Sequence, residues 1–347
     1  MKNKSDKKAL AGIALLIPAA FVIAAIGASA GSVAINPIDT FRVVFASLLR
    51  LPTPEGITEA TAAIIIKLRL PRVALAFLTG AAMSAGGAVT QSVLHNPLAT
   101  PYTLGVSSGA SVGAAIVTVC GVSLPFAGRW SLAAAGTLFG VLTVVVCITL
   151  CLRIDKNLGS NTIVLLGMVL SLFLSAVFTF VSGLDREKMT LLIRWQQGSF
   201  ASKGWDSVGV MLVVTVIGIA AVMLFSRELD ILSFGDESAM SVGVNAAKVK
   251  WLLLAITAVL TGTAVSFAGV IGFIDLIAPH VARRLFSPRH KYLIPLTALI
   301  GGSFMVIADL AARMLIPSTE LPVGAVTAFI GAPFFALVYF SRRRQSA

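Results

Sequence analysis

Side chains able to do chemistry are sparse in this chain and poorly arranged for it. The three histidines, His95, His280 and His290, form no His-Glu-x-x-His pair and no set with Ser and Asp that would activate a nucleophile. His280, beside Pro279, has no other ligand close in sequence and reads as structural. Cys147 and Cys151 are one helical turn apart, but two thiols alone make a poor zinc site, so they and Cys120 are expected as packed free thiols. No Gly-x-x-x-x-Gly-Lys-Ser/Thr loop and no Gly-x-Gly-x-x-Gly occurs, which excludes binding ATP or a dinucleotide in those ways. The expectation is therefore no catalytic residue, no metal and no cofactor, with energy supplied from elsewhere.

The elements that must position any site are membrane spans. Of 347 residues, 57% are hydrophobic and only 12% charged, about half the charge of an ordinary soluble domain. The net charge of +12 sits in short basic clusters between apolar runs, the pattern of loops beside a bilayer rather than of a nucleic-acid surface. Apolar runs near 9–31, 70–94, 101–122, 129–152, 160–183, 206–226, 251–270, 272–287, 292–315 and 323–341 predict an all-α polytopic protein of about ten transmembrane helices, in one domain over 1–347. The eighth run is the shortest. Residues 1–30 imitate a signal peptide, but the apolar run from Ala9 to about Ala28 matches a span and predicts an uncleaved first helix.

Alternating ten spans from a cytoplasmic amino terminus puts the clusters Lys2 to Lys8, Arg153 with Lys156, Arg227, Lys248 with Lys250, Arg283 to Lys291, and Arg342 to Arg344 on the cytoplasmic side. Both termini come out cytoplasmic. The outer segment 32–69 carries Ile38, Phe41, Phe45 and Leu48 at helical spacing beside Asp39, Arg42 and Arg50, which suits a helix in the membrane interface. The inner segment 227–250 is polar yet studded with apolar anchors, as expected of a short helix docking on a soluble partner. Gly105, Gly109 and Gly113, and Gly136 with Gly140, predict close helix packing. Asn96-Pro97-Leu98-Ala99-Thr100-Pro101 and Ala278-Pro279-His280 interrupt spans, and unwound backbone at that depth must face protein or a water-filled pathway. Comparable interruptions in both halves suggest an inverted five-plus-five repeat.

These motifs resemble the FecCD or BtuC-like permeases of ABC importers for iron-siderophores, haem and cobalamin. The resemblance runs in order over about 60–340: Leu68-Arg69-Leu70-Pro71-Arg72, Asn96-Pro97-Leu98-Ala99, Leu104 to Ala110, Gly235-Asp236 with Gly243, Gly272 to His280, Ala308-Asp309 with Arg313, and Glu320 to Gly324 through Gly331-Ala332-Pro333. Two positions depart from the family pattern: Asp275, where Gly is usual, and Gln196-Gln197 within Arg194 to Ser199.

The resemblance implies that Arg69, Arg72 and Arg313 receive acidic residues of an extracytoplasmic binding protein, the alternatives being interfacial snorkelling or an Asp309–Arg313 pair. It implies that Gly235, Asp236, Glu237, Ala239 and Gly243 form the coupling helix for the ATPase, against an ordinary solvated loop. Asn96, Leu98, Ser160 and Asn161 match the cytoplasmic gate, against capped helix ends. Met168, Ser171, Ser175 and Thr179 of the fifth span match pathway lining, although such stripes also merely pack helices. Asp309 reads as the partner of Arg313. Asp275 is without a role, both carboxylates being expected close to the outer surface.

The implied assembly is two ATPase subunits that bind ATP, a second permease subunit, identical or paired, and a binding protein, in the cytoplasmic membrane of a prokaryote. The implied cargo is a ferric siderophore, with haem or cobalamin as the alternative. A secondary transporter would need a carboxylate or ion site at the midplane, which no span clearly offers. A membrane-embedded enzyme lacks its residues.

Overall fold

The computed structural model describes residues 4–31, 35–122, 127–316 and 319–343. Lys2 and Arg344 of the basic clusters fall outside them. The helices run α1 Lys4–Ser29, α2 Pro37–Leu48, α3 Glu59–Ala63, α4 Leu70–Val93, α5 Val106–Cys120, α6 Ser131–Ile154, α7 Ser160–Gly183 and α8 Arg186–Gln196. There follow α9 Trp205–Leu224, α10 Ser226–Leu232, α11 Asp236–Ser241, α12 Ala246–Ala268, α13 Ile274–Leu285, α14 His290–Met314 and α15 Val323–Arg343. No strand occurs among the described residues.

Each of the ten predicted spans coincides with a helix. Among the described residues seven helices are long and apolar enough to cross a membrane, while Val106–Cys120 and Val323–Leu337 are shorter apolar stretches. The predicted eighth span is corrected: α13 has only 12 residues, about 18 Å at 1.5 Å per residue, against a hydrocarbon core of about 30 Å. Its approach, residues 269–273, is unwound. Three shorter helices went unpredicted, α3, α8 and α10, and α12 begins at Ala246, so the inner loop is shorter than 227–250.

Ion pairs and hydrogen bonds define two ends of the bundle. At the proximal end Arg289 meets Asp6 of α1 and His290 meets Asp230 of α10. At the distal end Arg72, Asp309 and Arg313 cluster where α1 finishes and α15 starts. Helix packing repeats between the halves. The α4 helix packs on α14 as α12 packs on α6, α5 lies on α6 and α7 as α13 lies on α14 and α15, and α4 crosses α12. The first helix of each half departs from this pattern, α1 lying on α14 and α9 on α4 and α12.

Close backbone approach carries the packing, because lipid gives no hydrophobic drive between helices. A Cβ at Gly109 would stand 2.1 Å from the Thr143 hydroxyl and one at Gly113 2.5 Å from the Ala135 carbonyl, so only glycine lets α5 meet α6 this closely. Ahead of α4, residues Ile64–Arg69 are wound as a π-helix. In that register the carbonyl of Ile66 would await an N–H from Pro71, which has none, and the Trp205 indole donates to it at 2.8 Å instead.

Ala278-Pro279-His280 does not interrupt its helix, since all three lie within α13; the break in that half is at 269–273, and it meets the break after α4 inside the bundle. The Tyr102 hydroxyl donates to the Ile271 carbonyl at 2.8 Å and accepts from the Ile271 N–H at 3.3 Å. Beyond α8, residues 196–199 satisfy more of the unwound backbone: Val270 N–H donates to Gln196 O at 3.2 Å, Ser199 N–H to Ala268 O at 2.9 Å and Val323 N–H to Gly198 O at 3.0 Å. Every one of these bonds replaces water that the bilayer cannot supply.

Candidate functional site

At the proximal end, two rigid turns face each other. After α4, His95 adopts a left-handed φ of +50°, and the Asn96 side chain accepts from Leu98 N–H at 2.9 Å, an Asx turn that Pro97 reinforces. Between α6 and α7, Asp155 accepts from Asn157 N–H and Gly159 N–H, both at 2.9 Å. Asn96, Ser160 and Asn161 line one cleft of about 510 Å³ together with Met168, His95 and Val164. Leu98 of the predicted gate stands exposed beside it rather than in its lining.

A second cleft, of about 290 Å³, lies further along α7 and is lined by Ser107, Ser108, Ser111, Ser175, Phe178, Gln196 and Val270. Gly105, at φ +86°, turns the chain into α5 and so brings Ser107 and Ser108 to the start of that helix. Gln196 holds Ser111 at 3.0 Å. Of the predicted lining residues, Met168 and Ser175 thus reach clefts; Ser171 bonds Gly167 O of its own helix beside Gly105, and Thr179 is exposed and bonds Ser175 O. Gln196 and the α5 serines are additional polar lining that hydropathy alone does not flag. Both clefts lie against α7, whose Leu172, Phe173 and Phe180 are exposed, as is Phe329 on α15.

The α10–α11 segment caps the proximal end. Leu232, Ala239 and Ala246 pack as a small core beneath it, which puts Ala239 of the predicted coupling set out of reach of any partner. Asp236 points inward to Lys250 at 2.5 Å, and Glu237 and Gly243 are exposed. Phe234 is 81% exposed, and Met240 and Val242 stand out with it. The sequence reads apolar anchors in this segment, and the fold settles which of them face outward: Phe234 before α11, Met240 in it and Val242 after it.

Asp230 fastens α10 to α14. Its carboxylate accepts from the His290 backbone N–H at 2.8 Å and pairs with Nδ1 at 2.6 Å, while His290 Nε2 meets Ser92 Oγ at 2.7 Å. Burial works against the charge, but the His290 contacts outweigh it and hold the Asp230 carboxyl below its ordinary range. Arg283 of α13, bonded to Gln91, Ala88 O and Ser92, extends the network to α4.

At the distal end the three predicted docking arginines come together, and all are engaged within the chain. Arg69 donates to the Ala28 and Ser29 carbonyls. Arg313 pairs with Asp309 at 3.1 Å and donates to Gly27 O and Ala30 O, which seals the end of α1. Arg72 contacts Asp309 at 2.9 Å and grips Glu320 with two bonds of 2.8 and 3.0 Å. Glu320 is the half-exposed member of the cluster, and the Arg72 hydrogen bond, against the burial penalty, holds its carboxyl below the usual glutamate range.

Asp275 does not lie near the outer surface as expected. It is 1% exposed at the start of α13, where a Cβ at Gly87 would stand 2.1 Å from its carbonyl and Gln91 Nε2 donates to that carbonyl at 3.0 Å. Gly87 is about three-quarters of the way along α4 towards the proximal end. Among the described residues no side chain donates to either carboxylate oxygen, the backbone N–H groups of Asp275 and Leu276 at the head of α13 being the donors beside them. A carboxylate buried inside the bundle therefore exists after all, although among the described residues no cluster of metal-type ligands surrounds it.

Residues 16–341 match the model of the FecCD transport family. Over 297 residues the chain is 38% identical to a cobalamin import system permease protein, BtuC, of Halobacterium salinarum, covering 85% of this chain and 77% of that one. It is 32% identical over 345 residues to a Fe(3+)-citrate import system permease protein, YfmE, of Bacillus subtilis, covering 99% of each. A solved structure described as an inward-facing conformation of a metal-chelate type ABC transporter superposes with a TM-score of 0.81 at 28% identity, over 95% of this chain and 98% of that one. Ten helices in the expected order, two interruptions that meet inside the bundle and a match over nearly the whole length agree, and this multi-pass membrane chain belongs to the FecCD transport family of ABC permeases.

Proposed function

We propose that the chain is the membrane-spanning subunit of an ATP-driven importer that carries a ferric siderophore across the cytoplasmic membrane of a prokaryote, both termini facing the cytoplasm. The observation that carries this reading is the shared end: the α10–α11 cap, with Phe234, Met240 and Val242 exposed, sits at the same end of the bundle as the cleft lined by Asn96, Ser160 and Asn161. An ATPase docking on Glu237, Gly243 and those apolar tips would act next to the gate. Asp236 and Ala239 would serve from within, and Gly235, at φ +109°, sets the turn into α11.

Two ATPase subunits binding ATP and a second permease subunit, identical or paired, complete the assembly. Both clefts open along α7, so the second permease would close the pathway past Met168, Ser171, Ser175 and Thr179. The binding protein would dock at the distal cluster, its carboxylates displacing Glu320 from Arg72, with Arg69 and Arg313 holding the platform.

The test is the ATPase rate of the reconstituted complex when its binding protein is loaded with candidate chelates. Stimulation by ferric siderophore supports the reading; stimulation by none of the chelates removes it. Cobalamin is the second reading, favoured by the 38% identity to a cobalamin permease, and stimulation by cobalamin alone would select it.

A further inference from the structure

Two contacts join the α10–α11 cap to the turns that carry the gate residues. Lys250, wholly buried on α12, donates to Asp236 of α11 at 2.5 Å and to the Leu158 carbonyl at 3.2 Å, two residues before Ser160. His95, one residue before Asn96, places Nε2 2.5 Å from the Leu232 carbonyl at the end of α10, which requires Nε2 to carry the proton. We infer that Lys250 and His95 are the positioning residues through which movement of the α10–α11 cap reaches the two walls of the proximal cleft.

Both attachment points are built to pass on displacement rather than absorb it. The Asp155 carboxylate pins Asn157 and Gly159, Leu158 is buried at φ +52°, and α7 starts at the next residue but one. The His95 turn is held by Asn96 N–H donating to Gln91 O at 3.1 Å and by the Asn96–Leu98 bond. The upstream side is equally stiff, since Leu229 and Leu232 anchor α10 in the interior. A buried ammonium cannot be left unpaired cheaply, so Lys250 keeps Asp236 and Leu158 O together while α11 shifts. Each wall of the cleft thus has its own tether, one to α10 and one to α11.

The inference rests on the coupling role proposed for α11, and the experiment separates the two. Spin labels are placed at Ser238, exposed on α11 and outside the proposed docking residues, and at Asn157 on the gate turn of the reconstituted permease–ATPase complex, and a non-hydrolysable ATP analogue is added. In the otherwise unaltered complex both labels should respond. In Lys250→Met the Ser238 label should still respond and the Asn157 label should not, and substrate moved per ATP should fall several-fold with ATP hydrolysis retained. His95→Phe should lower transport per ATP in the same way, and His95→Gln, which keeps a donor at that place, should restore it. An undiminished Asn157 response in Lys250→Met, or equal transport per ATP in His95→Phe and His95→Gln, overturns the inference. If Lys250→Met does not assemble, the His95 pair decides alone. A silent Ser238 label in the unaltered complex would instead sink the coupling role itself.

Discussion

Arg72 of α4 and Glu320, 248 residues later, are joined by two parallel hydrogen bonds of 2.8 and 3.0 Å in a fork-to-fork pair. That geometry is the one an incoming carboxylate would use, so Glu320 occupies the proposed docking position. Glu320→Gln should therefore tighten binding-protein affinity, by about threefold to tenfold for roughly 1 kcal/mol of lost competition. Arg72→Ala should abolish docking and also destabilise the chain by about 1–3 kcal/mol, since buried Asp309 keeps only Arg313. Surface plasmon resonance and thermal unfolding in detergent separate the two effects.

Acid should loosen the same pair. Because the Glu320 carboxyl is held below its usual range, chiefly by Arg72, the contact is intact at and above the ordinary glutamate pKa and is lost only as pH falls through the depressed folded value. Down a pH series the partner's carboxylates protonate in both proteins, so binding-protein affinity should fall in each, and only the parent should show the further change that Glu320→Gln lacks.

The hydroxyl-lined cleft should tolerate chemistry but not bulk. Ser175→Trp would fill much of the 290 Å³ between α5, α7 and Gln196 and should cut uptake about tenfold, with ATP hydrolysis little changed. Ser175→Ala should transport almost normally. Equal rates for the two variants would show that cargo does not pass this cleft.

Helix contact at Gly87 leaves no room to relax, because the atom a side chain would meet is the Asp275 main-chain carbonyl. Gly87→Ala should cost about 1–3 kcal/mol, read as a lower Tm of the solubilised protein. At the same junction Asp275→Asn should leave Tm unchanged or raise it, because no side chain donates to that carboxylate and an amide oxygen can still take the backbone N–H groups at the head of α13. A fall in Tm for Asp275→Asn would show that the charge is needed.

Much of this arrangement is legible in the chain itself, for a physical reason: spans, their Pro and Gly interruptions and basic loops are local properties. The runs at 70–94 and 160–183 fall within about a residue of α4 and α7. The Asp309–Arg313 pair is an i, i+4 contact and is equally readable. Other features need the fold. Hydropathy merges the unwound 269–273 with α13, which makes a half-helix look like a span. The depth of Asp275 follows from α13 lying on α4 at Gly87, and the Arg72–Glu320 grip joins opposite ends of the sequence. Ala239 reads as an outward coupling residue until the direction in which α11 turns is known. The Lys250 and His95 tethers are invisible for the same reason: Leu158 and Leu232 offer main-chain carbonyls, and Asp236 meets Lys250 only once α11 folds back on α12.

The most direct measurement is uptake of radiolabelled ferric siderophore into liposomes holding the permease, with and without its ATPase, binding protein on the distal side and ATP on the proximal side. Accumulation that requires both the ATPase and ATP, and that stops when Phe234, Met240 and Val242 are all replaced by Ser, is the predicted result. Accumulation by the permease alone, or driven by an imposed ion gradient without ATP, would contradict it.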